Sequence, residues 1–184
     1  MDIQQLQTGA KLITFPRFRD NRGWFSECWS NNWQQETGIV LPFVQSNLVR
    51  TTKAFTIRGL HAQGGTSAVA KMLQVIKGEI VDIFVDARKE SETFGQWEAV
   101  KLTEEQAQLI YVPRGFYHGY VTLSDDVIVH YQQDNFFDGS NEHGLRFDDP
   151  DIHIDWDRWG VDLDKVIVSE KDRNQKSWQE ATKF

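Results

Sequence analysis

Apolar residues in this chain come in short runs rich in Val, Ile, Phe and Tyr, separated by clusters of Gly, Asp and Asn. That rhythm predicts an all-β sandwich or barrel rather than alternating strands and helices. The clearest unit runs from Lys71 to Arg88, where two apolar runs flank Lys77-Gly78 and the glycine can supply the positive φ of a tight turn. Leu109 to Val112 reads as another strand, stopped by Pro113 and Gly115. Tyr117 to Leu123 and Val127 to Tyr131 read as a hairpin around Ser124 to Asp126. Helix is scarce. Trp29 and Trp33, four apart in a stretch that Gly38 can close, predict one or two helical turns. Ser169 and Asp172, spaced as N-cap and third helical position, predict a short surface helix in the polar tail.

No fixed-period repeat and no Pro/Gly/Ser linker divides the 184 residues, so residues 1–184 read as a single domain. Twenty Lys and Arg against twenty-seven Asp and Glu give a net charge of −7. That balance argues against nucleic acid or an anionic membrane as the main partner, yet leaves room for a small phosphorylated substrate met by a few local cations. The single cysteine, Cys28, excludes an intramolecular disulfide and a CxxC metal site, and suits a reducing cytosol. The apolar run from Ile80 to Val85 is interrupted by Asp82 and is far too short to span a bilayer. The first residues, Met1 to Gln5, lack a charged-then-apolar signal pattern. The expectation is a soluble, cytoplasmic protein. Seven tryptophans in an all-β chain fill a core or form stacking surfaces.

Two segments carry histidines where chemistry can be expected. In one, Arg58 to Gln63, His61 follows a glycine and precedes the strand opening at Lys71; in the other, Pro113 to His118, a second histidine starts a strand. The P-x-G-x-x-H spacing of Pro113, Gly115 and His118 resembles the second half-motif of cupins, small β-barrels with a site inside the barrel. Metal-binding cupins usually supply H-x-H in the first half-motif, whereas here the matching residues are His61, Ala62 and Gln63. Two histidines without a third nitrogen or a placed carboxylate make a poor transition-metal site, which favours metal-free acid/base chemistry. Each residue also has a plainer reading. His61 would serve as a hydrogen-bonded core or surface histidine, and Tyr131 as a core aromatic in step with Val127 and Val129. Asp172 would complete a helix cap with Ser169, Lys71 would be a solvated strand-end cation, and Arg22 and Arg58 would be surface ion-pair partners.

Seven segments in register change that weighing: Asp20 to Glu27, Phe43 to Asn47, Ile57 to Gln63, Lys71 to Arg88, Ser91 to Gly95, Val112 to Gly119 and Ser169 to Asp172. In order and spacing, from about Phe15 to Asp172, the chain resembles the dTDP-4-dehydrorhamnose 3,5-epimerases, a cupin-fold family of nucleotide-sugar epimerases. The resemblance implies a cupin-type double-stranded β-helix, or jelly-roll barrel, with short peripheral helices. It implies that His61 is the general base, Asp172 its hydrogen-bonded partner and Tyr131 the general acid, with Lys71 and His118 near the reacting ketone. Arg22, Glu27, Gln45, Ser46, Asn47, Arg58, Glu142 and Lys171 match positions that hold the nucleotide and diphosphate. It further implies a homodimer that exchanges N-terminal strands, and no redox or metal cofactor.

The chemistry explains these residue types. In a 4-keto-6-deoxyhexose the hydrogens on carbons 3 and 5 lie α to the carbonyl, so a neutral imidazole can remove either to give an enolate. A carboxylate on the other ring nitrogen fixes the tautomer and stabilises the imidazolium. Cations and donors around the ketone oxygen carry the enolate charge, and inversion requires a second group on the opposite face. Three departures from the family stand out: Ala62 in place of an aromatic, Leu48 to Thr51 in place of a serine-rich strand, and Phe137 where a second tyrosine is common. Phe137 keeps the ring but deletes a donor and acceptor, which points to inversion at one centre. Carbon 3 is preferred because it needs less reorientation of the ring substituents. With His61, Lys71 and Tyr131 all present, inversion at both carbons 3 and 5 is the alternative. Two other functions compete: a metal-dependent cupin isomerase or oxygenase, and a sugar-binding cupin without catalysis. The base of the nucleotide, thymidine, cytidine or guanosine, is left open.

Overall fold

In the computed structural model, which describes residues 1–40 and 42–184, helix is confined to short pieces and the regular structure is otherwise strand. Among the described residues the strands are β1 (Asp2–Gln5), β2 (Lys11–Thr14), β3 (Phe18–Asp20), β4 (Gly23–Phe25), β5 (Gln45–Thr51), β6 (Thr56–Gln63) and β7 (Lys71–Lys77). They continue with β8 (Glu79–Asp86), β9 (Trp97–Thr103), β10 (Gln108–Val112), β11 (Phe116–Thr122), β12 (Val127–Gln133), β13 (Glu142–Gly144) and β14 (Ile167–Val168). One sheet has the order β1-β2-β10-β7-β12-β5, and the facing sheet has the order β13-β6-β11-β8-β9 with β14 added in parallel to β6. These two antiparallel sheets make the cupin-type jelly roll.

Three apolar clusters follow from strand alternation. Leu73, Ile80, Phe84, Ile110, Val127 and Val129, drawn from both sheets, fill the space between them. Ile57, Val81, Ile83, Val85 and Val121 point the other way and are roofed by Leu145, Phe147, Ile154 and Trp156 of the C-terminal segment. Ile13, Met72 and Leu109 on the outer face of the first sheet are covered by Phe15, Ile39 and the rings of Trp29, Trp33 and Phe43. Because β8 is covered on both faces, every residue from Ile80 to Asp86 is buried. Asp82 has the parity of Ile80 and Phe84, so it points into the barrel.

The expected hairpin of Tyr117 to Tyr131 is not formed. β11 pairs with β6 and β8, whereas β12 pairs with β5 and β7 in the opposite sheet, so Ser124 to Asp126 turn a corner between sheets. Lys77-Gly78 is a second such corner, with Gly78 at φ 83° and β7 and β8 in different sheets. Apolar runs joined by a tight turn look alike in both arrangements; only long-range pairing separates them. The helical expectations are met in short form. A 3-10 turn at Asn31–Trp33 runs into α1 (Gln34–Thr37), closed by Gly38 at φ 66°. Trp29 precedes it and packs edge-on against Trp33 and Phe43. In the tail, α2 (Glu170–Arg173) is capped by Ser169, whose hydroxyl accepts from the Asp172 N–H at 3.1 Å.

Among the described residues the hairpin of β3 and β4 pairs only with itself. Phe18, Trp24 and Phe25 on it are 61%, 52% and 68% exposed, an unusual density of bare aromatic surface for so short an element.

Candidate active site

The site starts from an irregularity in β6. His61 stands opposite His118 and Arg58 opposite Tyr120, so three steps along β6 match two along β11. This extra residue is a β-bulge, and it resets the alternation of side chains. In a regular strand residues 58 and 61 would face opposite ways; here both line the same cavity. Two glycines permit it. Gly59 has φ 118°, and a Cβ on it would lie 2.7 Å from the Cα of Gly119 across the bulge.

The cavity measures about 180 Å³. Arg58, His61, His118 and Tyr120 line it from one sheet, Lys71 and Tyr131 from the other. That is of the order of a single sugar ring and too small for a whole nucleotide. Asp172 enters from α2: its Oδ1 lies 2.6 Å from His61 Nε2 and its Oδ2 accepts the Gly59 N–H at 3.3 Å. The Ser169 cap and the His61 contact are thus compatible roles of one residue, its backbone serving the first and its carboxylate the second. Burial pushes the Asp172 carboxyl up, but the hydrogen bond and charge of His61, with the Gly59 N–H and Ser169, outweigh it and hold the group below its ordinary value. A carboxylate on Nε2 leaves Nδ1 of His61 as the basic atom.

A second His–Asp pair lies deeper. Both oxygens of Asp82 sit within 2.9 Å of His118 Nε2, with the two side chains 0% and 4% exposed. Burial raises the Asp82 carboxyl, opposed by His118 and Lys71; burial lowers the Lys71 ammonium, opposed by Glu142 and Asp82. Burial also raises the Tyr131 phenol, so it is a proton donor at neutral pH. Sequence reading missed Asp82 as a site residue, although a lone acid inside the apolar run Ile80 to Val85 was its signal.

Other expected residues divide by strand face. Gln45 and Asn47 share the inner face of β5, with Gln45 Nε2 donating to Asn47 Oδ1 at 3.1 Å. Ser46 alternates to the outer face, where its hydroxyl lies 2.8 Å from His130 Nε2; it does not join Gln45 and Asn47. Glu142 and Lys171 are ion-paired, and Glu142 bears electrostatically on both Lys71 and Tyr131. Arg58 Nε donates to Thr51 Oγ1 at 2.9 Å. Arg22 and Glu27 are not brought to the cavity. Arg22 sits at the tip of the β3–β4 hairpin, its side chain 85% exposed and paired with Asp20, and Glu27 is exposed just beyond it.

Gln63 occupies the position where a metal cupin would carry its second histidine. Its Nε2 donates to the carbonyls of Ser67 and Phe136 at 2.7 and 3.1 Å, and its Oε1 accepts the Asp138 N–H at 2.9 Å. The amide ties together the loops that follow His61 and Tyr131. Asp134 adds a further tie, accepting the Ala70 N–H at 2.7 Å and pairing with Arg114. Phe137 stands on the second of these loops, its N–H bonded to Gln45 Oε1 at 3.0 Å and its ring 57% exposed.

A family model described as dTDP-4-dehydrorhamnose 3,5-epimerase matches residues 5–180. A dTDP-4-dehydrorhamnose 3,5-epimerase from Methanothermobacter thermautotrophicus is 40% identical over 172 residues, 94% of this chain and 91% of that protein. The crystal structure of the Elizabethkingia anophelis enzyme of the same name superposes with TM-score 0.91 at 35% identity, covering 98% of this chain and 97% of that one. A Legionella pneumophila dTDP-6-deoxy-D-glucose-3,5-epimerase in complex with dTDP-4-keto-L-rhamnose gives TM-score 0.90 at 31% identity, covering 97% and 93%.

Proposed function

The chain belongs to the dTDP-4-dehydrorhamnose 3,5-epimerase family, and from that premise we propose how its cavity inverts a carbon of a thymidine-diphosphate 4-keto-6-deoxyhexose. It is an isomerase of deoxysugar biosynthesis. The observation that carries the mechanism is that His61, backed by Asp172, and Tyr131 line one sugar-sized cavity from opposite sheets. His61 Nδ1 takes the proton α to the ketone, and the C–H electrons move to the carbonyl oxygen. Lys71 meets the resulting enolate with positive charge and N–H donors, with His118 beside it, in a site partly closed to water. Tyr131 gives its proton to the same carbon from the other face; His61 then releases the proton it took to solvent, and Tyr131 regains one. Atoms balance without an oxidant or reductant. The diphosphate lies toward Arg58 and Lys171, with Gln45, Asn47 and Glu142 at the mouth.

Carbon 3 is the main centre in this reading. Phe137 lies on the loop held by Gln63 and Gln45 but has no hydroxyl to hold a second ring orientation. Small misplacements of a reacting carbon cost about 10²-fold in rate. With the sugar nucleotide in deuterated water, carbon 3 is expected to take up deuterium far faster than carbon 5, and Phe137→Tyr to speed uptake at carbon 5. Equal rapid labelling of both carbons by the unaltered protein would reject the single-centre reading.

We also propose that the active species is a cytoplasmic homodimer in which the β3–β4 hairpin reaches the partner. Its bare Phe18, Trp24 and Phe25, and the distance of Arg22 and Glu27 from their own cavity, support that arrangement. Sedimentation at micromolar concentration should give a dimer; a monomer that turns over substrate normally would contradict it.

A further inference from the structure

Tyr120 combines two features that do not belong together in an ordinary core residue. It lines the catalytic cavity and is 6% exposed, yet its hydroxyl is buried without a hydrogen-bond partner among the described residues. Leaving a buried hydroxyl unpaired costs about 1–3 kcal/mol, and such groups call for an explanation. A phenylalanine would fill the same volume without that cost.

The neighbours locate what the hydroxyl meets. Tyr120 stands across β11 from Arg58 on β6 and Asp82 on β8. The Thr51 hydroxyl is close enough to pull on the phenol as a hydrogen-bonding neighbour but makes no contact of hydrogen-bond geometry with it; Arg58, Asp82 and Tyr131 are the other polar groups that bear on it. Thr51 Oγ1 accepts from Arg58 Nε at 2.9 Å, which holds the guanidinium beside the same phenol. The hydroxyl therefore feels both the cation assigned to the diphosphate and the acid assigned to the reacting carbon, and all three line the same cavity. The part of a sugar nucleotide that spans these two points is the junction of the ring with its phosphate.

We propose that Tyr120 is a further substrate-binding residue, its hydroxyl donating to an oxygen at the sugar–phosphate junction. This rests on the epimerase reading of the same cavity. The arrangement accepts an unpaired donor in the free protein, and the substrate satisfies it. Phe137 withholds a hydroxyl at the rim, while Tyr120 supplies one inside the barrel.

The test uses Tyr120→Phe and a nucleotide sugar that cannot react, thymidine-diphosphate glucose, so that binding is read apart from turnover. Affinity for this probe is expected to fall about tenfold or more, the scale of a hydrogen bond to a charged acceptor. Affinity for thymidine monophosphate, which lacks the junction, should stay the same. The thermal midpoint should hold or rise, because the unpaired hydroxyl is gone. Probe affinity within twofold of the unaltered protein would overturn the proposal. So would a lowered midpoint with equal loss of affinity for both nucleotides, the mark of a merely structural tyrosine. Should the unaltered protein bind the probe but turn over no keto sugar, the epimerase reading fails, and the Tyr120 comparison still decides the contact.

Discussion

His61→Asn is expected to reduce solvent deuterium exchange into the sugar by at least about 10³-fold, the scale of losing a positioned general base. Asparagine approximates the imidazole in size and can still hydrogen-bond Asp172, so the barrel wall should survive. Nucleotide affinity should change little, because the diphosphate is assigned to Arg58 and Lys171 and the cavity about His61 accommodates only the sugar. Asp172→Asn should be milder, about 10²-fold, since the base remains while its orientation and the charge balancing the imidazolium are lost. Both are checked by NMR exchange rates beside a calorimetric titration with thymidine diphosphate. Near-normal exchange in His61→Asn would remove it from the mechanism.

Tyr131→Phe should separate two events that the intact protein couples. The base and the enolate-stabilising groups remain, so deprotonation continues and deuterium enters from the His61 side. Inversion requires a proton from the other wall, and it should fall by about 10²–10³-fold, the usual contribution of a general acid. The variant is therefore expected to exchange without inverting. Burial already keeps the phenol protonated well above neutral pH, so the loss should be flat across pH 6 to 8 rather than appear as a shifted titration. Inversion at the normal rate in Tyr131→Phe would assign the acid elsewhere.

How much of this was legible depended on whether the information was local. The strands β7, β8 and β11 followed from short runs of β-branched and aromatic residues broken by glycine and polar clusters, a signal carried within each segment. The corners at Gly78 and at Ser124 to Asp126 resemble hairpin turns because a turn's residues do not say which sheet the next strand joins. The α2 cap was readable from Ser169 and Asp172, but not that one aspartate serves the cap with its backbone and His61 with its carboxylate. Arg58 and His61 reach the same cavity only through the bulge at Gly59, and that depends on Gly119, sixty residues away in sequence. Ser46 shows the converse. Its neighbours Gln45 and Asn47 face the barrel, and strand alternation alone turns Ser46 outward. Asp82 and Tyr120 were hidden among apolar neighbours, although each sits at an inward position of its strand, and Tyr120 follows His118 by two residues.

The most direct measurement is the ratio of inversion to label in the unaltered protein. Thymidine-diphosphate 4-keto-6-deoxyglucose would be turned over in deuterated water, and configuration and deuterium content read at the same carbon by NMR. Proton removal by His61 and return from Tyr131 across the ring require that every inverted carbon carry a solvent deuteron. Inverted product that retains its original hydrogen would contradict the mechanism.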